Sequence, residues 1–146
     1  MLEHHRTDCA IILEKLLNAP AHPFDDNIKS HLPTKHGLYV IMQKNGSGPV
    51  KYLHVGRSHT ASEGLRSRVW DQHFWGGGRG AGSDLVDKVA KRQLGLPEGA
   101  NRENRPKAQA WLSENCLVQW IIVEDDDLRC WAEHYALSIL RPIWGQ

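Results

Sequence analysis

The stretch from Gly37 to Gly56 limits what this chain can fold into more than any other part of it. Gly37 to Lys44 is rich in β-branched and aromatic residues, Asn45-Gly46-Ser47-Gly48 is turn chemistry, and Val50 to Gly56 reads as a returning strand. The pattern predicts an antiparallel hairpin. Successive side chains of a strand point to opposite faces. Leu38, Val40 and Met42 therefore share one face of the first strand, and Leu53 and Val55 share one face of the second. These are the natural core faces. Tyr39 falls on the opposite face of its strand, and Tyr52 and His54 fall together on the opposite face of theirs. Three side chains able to exchange protons are thus expected on one side of the hairpin.

The remaining elements arrange themselves around that hairpin. Residues 6–18 read as a helix with Ile11, Ile12, Leu16 and Leu17 apolar, ended by Ala19-Pro20. The proline-containing segment from Ala19 to Lys35 is a connection. Glu63 to about Phe74 is a helix stopped by Gly76-Gly77-Gly78. Ser83 to Leu94 is another, with Ser83 as N-cap and Gly95 at its end. Pro106 to Asn115 is a helix with proline in its first turn. Cys116 to Glu124 is a third strand, and Asp127 to Leu140 a last helix closed by Arg141-Pro142. No internal repeat appears. Residues 1–35 form an N-terminal helix and connecting segment that packs on a main domain of residues 36–146.

Composition narrows the function classes. With 146 residues, 40% hydrophobic and 24% charged, the chain can build one domain with a real core. No apolar run approaches a membrane span, which makes a cytoplasmic location the simplest expectation. Cys9, Cys116 and Cys130 are odd in number and have no metal-knuckle spacing, so they read as reduced thiols. Nine histidines invite a zinc site, but none pairs with cysteines at finger spacing. The net charge of +1 gives no global argument for nucleic acid. Its distribution says more. From Lys51 to Arg79 the basic residues are Lys51, Arg57, Arg66, Arg68 and Arg79, against Glu63 and Asp71, whereas acid gathers in Glu124-Asp125-Asp126-Asp127.

Two later segments carry chemistry. Leu65 to His73 places Arg66, Arg68 and a histidine on a helix after the hairpin. Arginine suits phosphate because its guanidinium is planar, forked and permanently charged. Arg68 is anchored by Leu65 and Val69, whereas Arg66 is the more solvated of the two. In the last helix, the wheel neighbours of Glu133 are Leu140, Leu137, Arg129, Ala136 and Cys130. A glutamate on an apolar stripe must be paired, protonated or bound to a cation, because burying a bare carboxylate is costly. Arg129, one turn earlier, is the obvious pairing partner. A hard divalent ion is the alternative.

In order along the chain, Gly37-Leu38-Tyr39, the strand Tyr52-Leu53-His54-Val55-Gly56-Arg57-Ser58, Leu65-x-x-Arg68 with a following histidine, and Glu133 with Pro142 resemble the GIY-YIG nuclease family over roughly Gly37 to Gln146. The resemblance implies an α/β fold with a small three-stranded antiparallel sheet flanked by helices. It implies a metal-dependent endonuclease acting on DNA phosphodiesters with one Mg²⁺ or Mn²⁺. Tyr39 would be the general base, with His54 beside it, Arg68 would clamp the scissile phosphate, His73 would shuttle a proton, and Glu133 would hold the metal. Tyr52, Arg57, Ser58, Arg66 and Arg79 would contact the substrate.

The chain departs from the family pattern in three places. His54 stands where a tyrosine is usual, a tolerable exchange because histidine moves protons near neutral pH. His73 follows Arg68 by five residues instead of four, which in a regular α-helix turns it about 100° further round. An early end of that helix at the Gly76 run would bring it back. Gly145-Gln146 ends the chain where the family often has asparagine. These departures keep open a second function, a catalytically weak nucleic-acid-binding module on the same fold. Trp75, beside the glycine run, is the tryptophan placed to stack on a base.

Overall fold

The computed structural model describes residues 2–44, 48–59, 64–74 and 85–144. The expected turn at 45–47, the Ser83 cap, Trp75, Arg79 and the Gly145-Gln146 ending lie outside them.

The described residues form a mixed helix–strand architecture in which helices cover both faces of a small antiparallel sheet. The elements run α1 (Leu2–Leu17), β1 (His22–Pro23), α2 (Ile28–His31), β2 (Gly37–Gln43), β3 (Lys51–Arg57), the π-helix π1 (Arg66–Phe74), α3 (Leu85–Lys88) continued by π2 (Val89–Gln93), α4 (Arg105–Asn115), β4 (Cys116–Ile122) and α5 (Asp126–Leu140). The sheet order is β1-β4-β2-β3. Three strands form the expected sheet, and the two-residue β1 adds a fourth at its edge. That short strand, with α2, lies inside the segment read from sequence as a plain connection.

β2 is the central strand, paired with β3 and β4, and all but its last residue are buried. On one face Leu38, Val40 and Met42 pack with Val55, with Cys9, Leu13 and Leu16 of α1 and with Ala132 and Ala136 of α5. The three α1 residues recur at helical spacing, and so do Arg129, Ala132, Glu133 and Ala136 on the buried face of α5. On the other face Tyr39 and Ile41 pack with Leu53, with Leu65 just before π1, with Val69 and Phe74 of π1, and with Leu112 of α4. Tyr39 therefore points into a second core, not toward solvent.

The hairpin departs from simple alternation at one place. Its register pairs Ile41 with His54 but Met42 with Tyr52, which leaves Leu53 as an extra residue in a β-bulge. Beyond the bulge the side chains exchange faces. Leu53 packs on the Tyr39 face, and Tyr52 packs on the α1–α5 face. This corrects two expectations: Leu53 does not share a face with Val55, and Tyr52 does not stand beside His54. The carbonyls of Tyr52 and Leu53 accept from the backbone N–H groups of Ile143 and Trp144, both at 3.0 Å, so the end of the chain covers part of this sheet edge.

Local chemistry fixes the ends of the long helices. The Asp125 carboxylate accepts from Leu128 N–H at 2.8 Å and caps α5. Pro106 sits in the first turn of α4. Among the described residues no helix is long and apolar enough to cross a membrane.

Candidate functional site

Tyr39, on β2, and His54, on β3, come together because both project from one face of the hairpin; His73 reaches them from π1. The Tyr39 hydroxyl lies 3.3 Å from His54 Nε2 and is hydrogen-bonded to His73 Nε2. The two imidazoles meet edge to face with centroids 4.6 Å apart. Tyr39 and His73 are fully buried, and His54 is 2% exposed.

The geometry of π1 explains how His73 arrives. In a π-helix the hydrogen bonds run from residue i to i+5, so residues five apart lie one turn apart on one face. The spacing of five between Arg68 and His73, which would separate them in an α-helix, here keeps them together. The correction is to the helix type, not to its length: π1 runs through to Phe74, so no early termination brings His73 back.

Gly56 lies directly opposite Tyr39 in the β2–β3 ladder. A Cβ there would run into the Tyr39 hydroxyl and ring. The close approach that glycine permits is therefore to this phenol.

Burial dominates the electrostatics. Desolvation pushes the Tyr39 phenol well above its ordinary range, while Arg68 pulls it back by its charge and by standing close enough to hydrogen-bond it; Glu133 adds a smaller upward push. Desolvation lowers His54 to about 3, helped by the charges of Arg68 and Lys88. His73 is held well below the usual imidazole range, first by desolvation, then by His54, Arg68 and Lys88. Both imidazoles are thus neutral at pH 7, each with one donor and one acceptor nitrogen. A phenol between two such nitrogens gives its proton to one and receives a hydrogen bond from the other. His54 Nδ1 is buried without a hydrogen-bond partner among the described residues.

A second group lies on the other face of β3. Arg57 stands opposite Leu38 in the ladder, on the α5 side, and its Nη1 donates to Glu133 Oε1 at 2.8 Å. Glu133 is 2% exposed, so the sequence rule holds that a buried carboxylate needs a partner. Among the described residues the ion-pair partner is Arg57, where the sequence pointed to Arg129. Arg129 instead turns to the corner between β3 and α5, where it donates to the carbonyls of Ser58 at 3.0 Å, Val123 at 2.8 Å and Glu124 at 3.1 Å, and to the Asp126 carboxylate.

His59, just past the end of β3, belongs to both groups. Its imidazole is lowered by desolvation and then by Arg57 and Arg68, Glu133 acts in the opposite sense, and Arg129 lowers it further. Nothing in the sequence pattern singled out His59 or Lys88. A polar residue following the Gly56-Arg57-Ser58 run was the available signal for the first. Lys88 had none, because only the fold sets its helix beside His54.

Three other expected contacts are used internally. Ser58 is fully buried, and its hydroxyl accepts from Gly37 N–H at 2.9 Å and meets His36 Nδ1 at 3.1 Å. Arg66 donates its Nε–H to the Leu32 carbonyl at 3.0 Å and is half-buried, not a solvated residue. Tyr52 lies on the far face of the sheet.

Among the described residues no group of three or more His, Cys, Asp or Glu could enclose a metal ion. A hard cation that keeps most of its waters needs less. Mg²⁺ is commonly held by one or two carboxylates together with substrate phosphate oxygens. The single buried carboxylate of Glu133, backed by a guanidinium, fits that minimal donor set and no larger one. Comparison with protein-family models, with curated proteins and with solved structures finds no match to this chain.

Proposed function

We propose that this chain is a metal-dependent endonuclease of the GIY-YIG type that hydrolyses DNA phosphodiester bonds in the cytoplasm. The observation that carries the reading is the convergence of Tyr39, His54, Arg68 and His73, from two strands and a π-helix, into one buried cluster whose phenol also feels the charge of Glu133. A phenol hydrogen-bonded between neutral imidazoles, with a guanidinium against it, has a proton donor and a proton acceptor on its one oxygen. DNA as the substrate rests on the sequence resemblance.

In this reading Tyr39 takes the proton of the attacking water and passes its own to the imidazole that accepts its hydrogen bond. The new oxygen–phosphorus bond forms as the bond to the leaving oxygen breaks, and that oxygen is protonated from solvent. Arg68 faces the charge that builds up on the phosphate. Arg57 and His59 would contact the phosphodiester backbone. A divalent ion held by Glu133 would supply Lewis-acid polarisation of a phosphate oxygen.

The test is nicking of supercoiled plasmid with Mg²⁺ or Mn²⁺ by wild type and by Glu133→Ala. Metal-dependent nicking that disappears in the variant is the expected outcome. The engagement of Glu133 by Arg57 favours a second reading, a nucleic-acid-binding module that does not cut. It is adopted if duplex, branched and single-stranded substrates all stay intact while salt-sensitive binding persists.

A further inference from the structure

The ion pair between Arg57 and Glu133 is asymmetric. The carboxylate side chain is 2% exposed and the guanidinium 21%. The anion is thus inside the fold, and the guanidinium is partly exposed, with Glu133 as its one ion-pair partner among the described residues. A carboxylate in that position cannot be left bare, and Arg57 donates to it from the surface side.

Among the described residues, the other positive groups that act on the two clusters are less able to move. Arg129 is buried and tied to three carbonyls and Asp126. Lys88 donates to the Trp144 carbonyl at 3.1 Å. Arg68 is packed into the Tyr39 cluster. Among the described residues, the charges that act on His59 are those of three guanidiniums (Arg57, Arg68 and Arg129) and one carboxylate (Glu133). A divalent cation arriving alone meets like charge, and its one carboxylate ligand already holds a cation. A phosphodiester reverses both conditions. Its anionic oxygens give the Arg57 fork a better-matched acceptor and add the negative charge that a metal ion requires.

Resting on the nuclease reading, we propose that Arg57 is a gate on Glu133. It blocks divalent-metal uptake in the free protein and transfers to the phosphodiester backbone when nucleic acid binds, so that metal enters with the substrate and not before it. Metal and nucleic acid then tighten each other's binding by the same factor, as linkage requires.

The experiment uses Mn²⁺ alone, followed by calorimetry and by its electron-paramagnetic-resonance signal. It compares wild type, Arg57→Gln, Arg57→Lys and the double variant Arg57→Gln/Glu133→Gln. Arg57→Gln is expected to bind one Mn²⁺ at least tenfold tighter than wild type. Arg57→Lys, which keeps the charge, should remain as weak as wild type, and the double variant should lose the tight site. If Arg57→Gln folds poorly because Glu133 loses this guanidinium, the same preference appears as a rise in melting temperature with Mn²⁺ that wild type lacks. Equal, Glu133-dependent binding by wild type and Arg57→Gln overturns the gate and leaves the metal centre standing. Absence of Mn²⁺ binding in every form, with and without duplex DNA, overturns the gate together with Glu133 as a metal ligand.

Discussion

Gly56 shows how one missing side chain places another. Its Cα faces Tyr39 across the ladder, and the phenol lies over the position a Cβ would fill. In Gly56→Ala the ring must shift or the strands must separate, an overpacking cost of about 1–3 kcal/mol. Urea denaturation should show that loss, and plasmid nicking should fall at least tenfold because the hydroxyl leaves its place between the imidazoles. Unchanged stability and nicking would mean that Tyr39 is not held as described. The imidazoles make a separate prediction. His54 and His73 are neutral in the fold but protonate near pH 6.5 once unfolded, so below that pH the unfolded chain binds more protons. Their contribution is complete above pH 6.5 and falls below it at about 1.4 kcal/mol per pH unit for each histidine, that of His54 being lost as pH falls toward 3. Unfolding free energies at pH 7, 6 and 5 should therefore fall more steeply in wild type than in His54→Gln. Parallel lines would contradict the burial of a neutral His54.

At the scale of an element, π1 converts a spacing that looks wrong into one that works. Residues 68 and 73 share a face only where the hydrogen bonds span five residues. Moving the histidine one position earlier, with Gln72→His and His73→Gln together, would restore the usual spacing in an α-helix. In π1, where Tyr39 is met from position 73, the exchange should cost the phenol this imidazole. Nicking by the double variant is expected to match that of His73→Gln alone. Wild-type nicking would show that the helix is α-helical in solution. The β-bulge at Leu53 acts in the same way, since one extra residue sends Tyr52 to the far face and leaves His54 with Tyr39. Strand periodicity reads faces correctly only between bulges, and a bulge leaves no composition signal in Tyr52-Leu53-His54.

For the whole molecule, both faces of the sheet are closed by helices, so β2 has no solvent face. α1 covers the side that carries Leu38 and Val40, and Leu16 is fully buried there. Leu16→Ala should cost about 2–5 kcal/mol by urea denaturation. A cost near zero would mean that the N-terminal helix is a detachable addition. The same closure explains the candidate site. A phenol, two imidazoles and a carboxylate are all buried, yet they reach the edge strand β3 from opposite faces, and charges of both groups act on His59.

Hydrophobic patterning alone was enough to locate the hairpin, the third strand and the long helices, because burial repeats at the period of each element. The isolated carboxylate on the apolar face of α5 also made Glu133 visible, since few chemical states allow such a residue. Its partner was not visible. Arg129 is near in sequence, but its guanidinium is taken by carbonyls at the β3–α5 corner, and Arg57, far away in the chain, is brought over by the packing of α5 on β3. The neutral state of the histidines, the face on which Tyr52 lies and the reach of His73 were likewise settled by the assembled fold. Desolvation, a one-residue bulge and a change of helical hydrogen bonding exist only once the neighbours are in place.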